Sequence, residues 1–220
     1  MRNFQLLCYN ICKKLVLCVI LLATATQALA HPHSFISMQV TLVHKNNLLT
    51  GLKMHWVMDE ITSADLLYDA GDAKPDSVAW KKLAAEVMAN VLGQHYFSEF
   101  WHEGKAVKFE NLPPEYHLSR QGSKAVLEFI LPLAEPQPLT GQRYRFSTFD
   151  PTYFVDMTYD SEQSLHVPAE LKKQCKMTLK TPKPNAALQA WALSLDKADA
   201  PRADDDLGRQ FAQTVTLICR

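Results

Sequence analysis

The feature that most constrains the fold is an alternating segment between Ser34 and Asp59. Every second residue is apolar, first at Ile36, Met38, Val40 and Leu42 and then at Leu52, Met54, Trp56 and Met58. Such alternation is typical of strands with one buried face. The polar stretch His44-Lys45-Asn46-Asn47 separates the two halves and tolerates the backbone of a tight turn. The segment predicts an antiparallel hairpin that brings residues 56–60 close to the start of its first strand.

The rest of the chain predicts two principal helices among many strands. A short helix capped by Thr62 or Ser63 is expected to end at Tyr68, and the best helical pattern begins at Asp76 or Ser77. That helix should end at Gly93, and the second principal helix is expected at residues 186–195. Further strands are expected at 96–101, 106–109, 117–119, 126–131, 144–149, 153–159, 176–181 and 214–219, with a proline-rich connector at 132–138 and a charged loop at 196–206. This order predicts a single compact α+β domain with a mainly antiparallel sheet.

The first thirty residues have the organisation of a cleaved signal peptide. Basic residues at 2, 13 and 14 precede an apolar run over residues 15–25, and Ala28-Leu29-Ala30 is a small-x-small cleavage site. The apolar run is much shorter than the ~20 residues that a membrane-spanning helix needs. We therefore expect cleavage after Ala30, a mature chain of residues 31–220 without a transmembrane segment, and a periplasmic location.

Charge and cysteine content narrow the class of protein. The full chain has 23 basic and 23 acidic residues, and loss of the leader removes three basic ones, so the mature chain carries a net charge of −3. This balance excludes the strongly basic surface of a nucleic-acid-binding protein. Three of the five cysteines lie in the leader, which leaves Cys175 and Cys219. An even count in an oxidising compartment predicts a disulfide between them.

Cleavage after Ala30 would make His31 the first residue, with a free α-amine and an imidazole that can chelate one metal ion. His33 points to the same side if the segment is extended. Pro32 has no amide hydrogen, which excludes the deprotonated amide nitrogen of square-planar amino-terminal sites. An amine and two imidazoles are ligands typical of nickel, cobalt or zinc sites, and copper(II) also fits. A solvated, proline-anchored terminus that binds no metal is the alternative at this point.

Three carboxylates are candidates to complete such a site: Asp59, Glu60 and Asp150. The predicted hairpin returns Asp59 and Glu60 towards the two histidines, and Asp59 is the favoured ligand because it shares a strand face with His55. Either acid can instead cap the following helix, since acidic residues stabilise helix amino termini. Asp150 precedes a proline, so fixing a turn is its first interpretation and metal ligation its second.

The other histidines show no pairing at ligand spacing in the sequence. His55 is interpreted as a residue that supports the ligands or is solvated. Solvated positions in or near turns are expected for His44, His95, His102, His117 and His166.

Several motifs, taken together and in order, resemble a known family. They are His31-Pro32-His33-Ser34-Phe35-Ile36, Trp56-Val57-Met58-Asp59-Glu60, Tyr96-Phe97, Leu131-Pro132-Leu133, Asp150-Pro151-Thr152-Tyr153-Phe154-Val155 and a cysteine at the extreme end. This pattern is similar to the domain of unknown function 1007 family, the periplasmic component of an uncharacterised ABC-type transport system. Members are often encoded beside nickel/cobalt permeases, so the resemblance implies a role in metal transport. Many members also carry a calcium-like loop after the first helix, but residues 69–76 here lack most of its alternating oxygen ligands.

The leading hypothesis is a periplasmic metal-binding accessory of a nickel, cobalt or zinc transport system, with a membrane permease as its partner and no enzymatic activity. A second hypothesis is a copper enzyme that uses its amino-terminal histidine. A third is an adapter that docks on a membrane permease without binding metal.

Overall fold

The computed structural model describes residues 33–195 and 205–220. The predicted leader, His31 and most of the predicted charged loop lie outside these residues. Within them the chain forms helices α1 (Glu60–Ala70), α2 (Val78–Gly93) and α3 (Ala186–Ser194). The strands are β1 (Ser34–Lys45), β2 (Leu48–Met58), β3 (Ser98–His102), β4 (Lys105–Val107), β5 (Tyr116–Gln121), β6 (Lys124–Pro138), β7 (Arg143–Thr148), β8 (Val155–Thr158), β9 (Leu165–His166), β10 (Cys175–Lys180) and β11 (Thr214–Cys219). The α+β prediction is confirmed, with the strands in two sheets.

The predicted hairpin is confirmed as β1 and β2. Ile36 lies opposite Met58 and Met38 lies opposite Trp56, so the apolar residues of both strands share one face. Asn46 and Asn47 form the turn with φ angles of 50° and 61°. Two consecutive positive φ angles are the geometry that two-residue hairpin turns favour, and asparagine accepts them more readily than most residues.

The first sheet has the strand order β5-β6-β2-β1-β8, and β9 also pairs with β1. Its neighbouring strands are antiparallel except at one edge, where β8 and β9 run parallel to β1. The start of β1 is therefore held between two neighbours, the end of β2 and the start of β8. This arrangement fixes where the amino-terminal segment enters the fold.

The second sheet has the order β10-β11-β7-β3-β4 and is antiparallel throughout its described pairs. Cys175 and Cys219 lie opposite each other on β10 and β11 and form a disulfide. The predicted disulfide is thus confirmed, and it closes the edge of this sheet.

One face of each sheet contributes to a single hydrophobic core. The first sheet supplies side chains such as Trp56 and Phe129, and the second supplies Phe100 and Leu217. Helix α2 covers part of this core with its own buried side chains, among them Met88. Each fully buried large apolar side chain stabilises the fold by about 1.5–3 kcal/mol. The opposite face of the first sheet is free to carry polar side chains. None of the described helices is long and apolar enough to cross a membrane.

One segment differs from expectation, because residues 132–138 form the end of β6 and not a connector. Pro132 lies opposite Gly51, next to a shift in the β2–β6 register. A Cβ atom at Gly51 would lie only 2.6 Å from the carbonyl oxygen of Leu131, so glycine is required there. Proline is tolerated in strands at such irregularities because the ladder of hydrogen bonds is already interrupted.

Candidate functional site

His33 lies where the start of β1 meets the start of β8. Its backbone N–H donates to the carbonyl oxygen of Phe154 over 2.9 Å. Its imidazole packs on the Phe154 ring with 4.6 Å between centroids and is half-buried. The structure therefore fixes both the backbone and the ring of one predicted ligand. The other, His31, lies outside the described residues.

Asp59 lies beside β1, as the hairpin predicts, and its carboxylate oxygens accept four hydrogen bonds. Oδ1 accepts from the N–H groups of Ile61 and Thr62, and Oδ2 accepts from the Phe35 N–H and the Thr62 hydroxyl, all over 2.6–2.9 Å. Helix α1 thus begins at Glu60 with Asp59 as its cap, and the expected cap at residue 62 or 63 is wrong. A metal ion at Asp59 would have to displace at least one of these bonds.

The hydrogen bonds to Asp59 also determine its titration. Burial acts to raise the pKa of this carboxyl, but the donors on Thr62, Phe35 and Ile61 together outweigh it and hold the pKa below its usual value. Donors that favour the charged form of a carboxylate have this effect. Asp59 is therefore ionised at neutral pH and joins α1 to β1.

Glu60 occupies the first turn of α1 and is exposed. Its Oε1 accepts a hydrogen bond from the Ser123 hydroxyl over 2.8 Å. This position favours an acidic side chain because the backbone N–H groups of a helix amino terminus carry partial positive charge.

Asp150 is buried and fixes the turn that precedes β8. Its oxygens accept from the N–H and hydroxyl of Thr152, each over 2.9 Å, and from the Val155 N–H over 3.0 Å. The turn also packs tightly against the backbone at Gly208, where a Cβ would overlap the Asp150 carbonyl oxygen. The structure thus shows the turn-fixing role, and this turn places the Phe154 carbonyl that holds His33.

A further carboxylate, which the sequence interpretation missed, lies beside these residues. Asp156 on β8 is in register with Phe35 of β1, so the two side chains project from the same face of the sheet. His33 shares this face because residues two apart on an extended strand point the same way. Burial raises the pKa of the Asp156 carboxyl, and this carboxylate accepts no hydrogen bond from the described residues. We call the group of His33, Phe35, Phe154 and Asp156 the amino-terminal corner.

Within residues 33–195 and 205–220, no three His, Cys, Asp or Glu side chains converge as a ready metal site. Two side chains of ligand type, His33 and Asp156, lie in the amino-terminal corner. The rest of the predicted shell, the amine and imidazole of His31, lies upstream of the described residues.

The structure also brings together histidines that the sequence left scattered. His117 lies in β5, in agreement with the strand expected at 117–119, directly opposite Glu128 of β6. Glu128 in turn lies opposite His55 of β2. His55 is opposite Gln39 of β1, and the His166 ring of β9 contacts Gln39 over 3.2 Å. We call these five residues the histidine row. Only the strand pairing reveals it, since no local sequence pattern links its members.

Comparison with known proteins places the chain in a family. Residues 16–219 match the family model described as a protein of unknown function (DUF1007). The chain belongs to the DUF1007 family. A relative from Haemophilus influenzae, described as an uncharacterized protein, is 38% identical over 192 residues, which cover 87% of this chain and 92% of the relative. No solved structure matches this DUF1007 chain. The family resemblance is thus confirmed, and the transport role that it implies stays a prediction.

Proposed function

We propose that this protein is a periplasmic accessory of a transition-metal transport system and binds one divalent ion through its processed amino terminus. The observation that carries the proposal is the fixed position of His33, whose N–H is bound to Phe154 and whose ring is packed on the Phe154 side chain. A chain that begins at His31 has its amine only two residues upstream, within about 7 Å of His33 along an extended backbone.

The neighbouring carboxylates divide into two roles in this proposal. Asp59 and Asp150 hold the backbones of β1 and β8 in place through N–H groups at Phe35 and Val155. Asp156 accepts no hydrogen bond from the described residues and lies on the same sheet face as His33. We therefore favour Asp156 over Asp59 as the carboxylate that completes the shell of the amine and two imidazoles. Nickel, cobalt, zinc and copper(II) accept such mixed nitrogen and oxygen ligands.

The nitrogens must be deprotonated to bind a metal ion, so affinity depends on pH. Reference pKa values are about 6.5 for an imidazole and about 7.7–8.0 for an α-amine. Metal affinity should therefore be high at neutral to alkaline pH and fall as the pH is lowered through this range, with protons released on binding.

The decisive experiment is calorimetric titration of the exported protein with nickel, cobalt, zinc and copper(II). The matched variant carries one extra residue before His31, which removes the amine chelate and keeps both imidazoles. We expect the extension to weaken binding and His33→Ala to weaken it further, while the fold survives both changes. If both variants bind every ion as tightly as the native terminus, the proposed site is wrong.

A second pair of variants tests which carboxylate completes the proposed metal shell. Asp156→Asn should weaken binding of the same ion, whereas Asp59→Asn should mainly destabilise α1. Equal loss of metal affinity in both variants would indicate that Asp59 is also a ligand of the ion. Reduction of bound copper with consumption of oxygen would favour the copper enzyme, and capture of a permease by a metal-free protein would favour the adapter.

A further inference from the structure

The outer face of the second sheet carries a concentration of positive charge. Side chains on β7, β10 and β11 alternate between the core and this face, so the residues next to the buried Tyr144, Met177 and Leu217 point outward. The strand register places four exposed cations on this outer face: Arg143, Arg145, Lys176 and Lys180. We call these four residues the basic face.

The positive charge of the basic face is not balanced by nearby acids. In the part of the chain that the structure describes, none of its four cations forms an ion pair with a carboxylate. Glu99 of β3 lies on the same outer face, but its two carboxylate oxygens accept hydrogen bonds from Arg209 over 2.6 and 2.7 Å. These bonds hold the pKa of Glu99 below its usual value. Since the predicted mature chain has a net charge of −3, the basic face differs in sign from the molecule as a whole.

The four cations are spread over two dimensions of the sheet. Arg143 and Arg145 are two residues apart on β7, which separates their backbones by about 7 Å. Lys176 and Lys180 are four residues apart on β10, which separates theirs by about 13 Å. Only β11 lies between these strands, so the two pairs stand about 10 Å apart across the sheet. Ile218 of β11 lies between Arg143 and Lys176 in the register, so the array of charges also contains an apolar side chain.

A recess beside Arg145 can accept an anionic group. This cavity of about 300 Å³ is lined by Arg145, Trp101, Ser147 and Thr214 among others. Trp101 lies directly opposite Arg145 in the register, and the Ser147 and Thr214 hydroxyls are 3.3 Å apart. A guanidinium and hydroxyls are donors to phosphate oxygens. Tryptophan is enriched at the boundary between membrane and water, because one end of its ring system is apolar and the other is polar.

From this geometry we propose that the outer face of the second sheet docks on an anionic phospholipid membrane, with the basic face against the lipid headgroups. A two-dimensional array of cations matches a surface of headgroups better than a linear polyanion, which follows a single line of charge. Each Lys or Arg near an anionic membrane strengthens association by about fivefold, so the four cations act together. The contact is weakened by salt because its charges are exposed. It leaves the amino-terminal corner uncovered, since that corner belongs to the first sheet, and it does not depend on metal binding.

Sedimentation of the exported protein with lipid vesicles tests the proposal. We expect binding to vesicles of phosphatidylcholine and phosphatidylglycerol, mixed at about two to one, and no binding to phosphatidylcholine alone. The variants Arg143→Gln/Arg145→Gln and Lys176→Gln/Lys180→Gln should each weaken binding by about 10–30-fold, because each removes two cations. Lys176→Arg/Lys180→Arg keeps both charges and should bind as wild type does.

The matched control is Lys81→Gln/Lys82→Gln, which removes two exposed cations from α2 and changes the net charge by the same amount. This control should bind the anionic vesicles as tightly as wild type does. The proposal is overturned if the wild type does not bind these vesicles or if the control loses as much affinity as the basic-face variants. Binding that persists at about 1 M salt, where charges are screened within about 3 Å, would overturn it as well.

Competition with soluble poly-glutamate distinguishes a membrane from an acidic protein partner. At the same concentration of negative charge as the vesicles present, poly-glutamate should leave the protein bound to the vesicles. Displacement of the protein would assign the basic face to an acidic polypeptide and overturn membrane docking. These assays contain no added metal ion, so their outcomes are independent of the proposed amino-terminal site.

Discussion

Asp59 and Asp150 are the acidic residues whose carboxylates are most fully occupied around the amino-terminal corner. Each accepts hydrogen bonds from backbone N–H groups at the start of a helix or strand, so each orders a chain segment. Asp156 lies between these segments on β8 and accepts none from the described residues. The difference matters for the proposed metal site, because an ion competes better for an uncommitted carboxylate than for one whose lone pairs are already used.

Replacing Asp59 by alanine should destabilise the protein. Loss of a side-chain cap costs about 1 kcal/mol in the free energy of unfolding, and here the Phe35 N–H and the Thr62 hydroxyl lose their acceptor as well. Urea denaturation at neutral pH measures the change. Asp65→Ala, an exposed acid in the same helix, is the control and should change stability by less than about 0.5 kcal/mol.

The same pair of proteins tests the ionisation of Asp59. Its pKa is lowered in the folded protein, so the stabilisation is complete above the unfolded-state pKa of about 3.9 and is lost as the pH falls through the folded value. The stability difference between wild type and Asp59→Ala should therefore be full at pH 7 and shrink below about pH 4. A difference that is unchanged at pH 3 would contradict the charged cap.

At the scale of elements, the outer strands β8 and β10 are held in place in different ways. The edge of the first sheet at β8 is held by the turn that Asp150 fixes, and β8 in turn holds the start of β1. The edge of the second sheet at β10 is joined covalently to β11 through Cys175 and Cys219. The turn and the disulfide each hold a short strand that pairs with a single neighbouring strand.

Removal of the disulfide should lower stability without abolishing the fold. Cys175 and Cys219 are 44 residues apart in sequence, and closing a loop of this size removes at most about 4 kcal/mol of unfolded-state entropy in the chain-entropy model. The β10–β11 ladder remains because five further residue pairs hold it. Denaturation of the Cys175→Ala/Cys219→Ala protein, compared with wild type with and without reductant, measures the loss. Two free thiols in the unreduced, denatured wild type would contradict the bond.

At the scale of the whole molecule, the amino-terminal corner and the histidine row lie on the same face of the first sheet, because Phe35 and Gln39 are four residues apart on β1. Both sheets turn their apolar faces inward, so the histidine row lies on the outer face of the first sheet. The amino-terminal corner lies at the β8 edge of that sheet, whereas His117 lies at the opposite edge on β5. The width of the first sheet therefore separates the amino-terminal corner from His117.

The proposed amino-terminal site requires that the mature chain begin at His31. The motif Ala28-Leu29-Ala30 predicts cleavage at that point. Intact-mass spectrometry of the exported protein should give the mass of residues 31–220 with one disulfide. A start two or more residues upstream would remove the chelating amine from the proposed shell and keep both imidazoles, and a start two residues downstream would remove the His31 side chain.

Features that depend on local periodicity could be predicted from the sequence. Alternating apolar residues determined the β1–β2 hairpin and its buried face, since side chains on a strand change sides at every residue. The apolar stripe of α2 and its end near Gly93 followed from helical periodicity, and two cysteines in the predicted mature chain left one pairing. The nearness of Asp59 to the start of β1 followed from the hairpin.

Only the tertiary structure decides which strands become neighbours, and therefore which distant residues come into contact. His55 and Glu128 are 73 residues apart, and only the β2–β6 register puts them in contact. The parallel pairing of β8 with β1 likewise decided that Asp156 lies beside Phe35. Asp59 became a cap because Ile61 and Thr62 turn their N–H groups towards it once α1 begins at Glu60. Sequence periodicity sets the direction of each side chain, but contacts across strands arise from register, which the packing of the whole core selects.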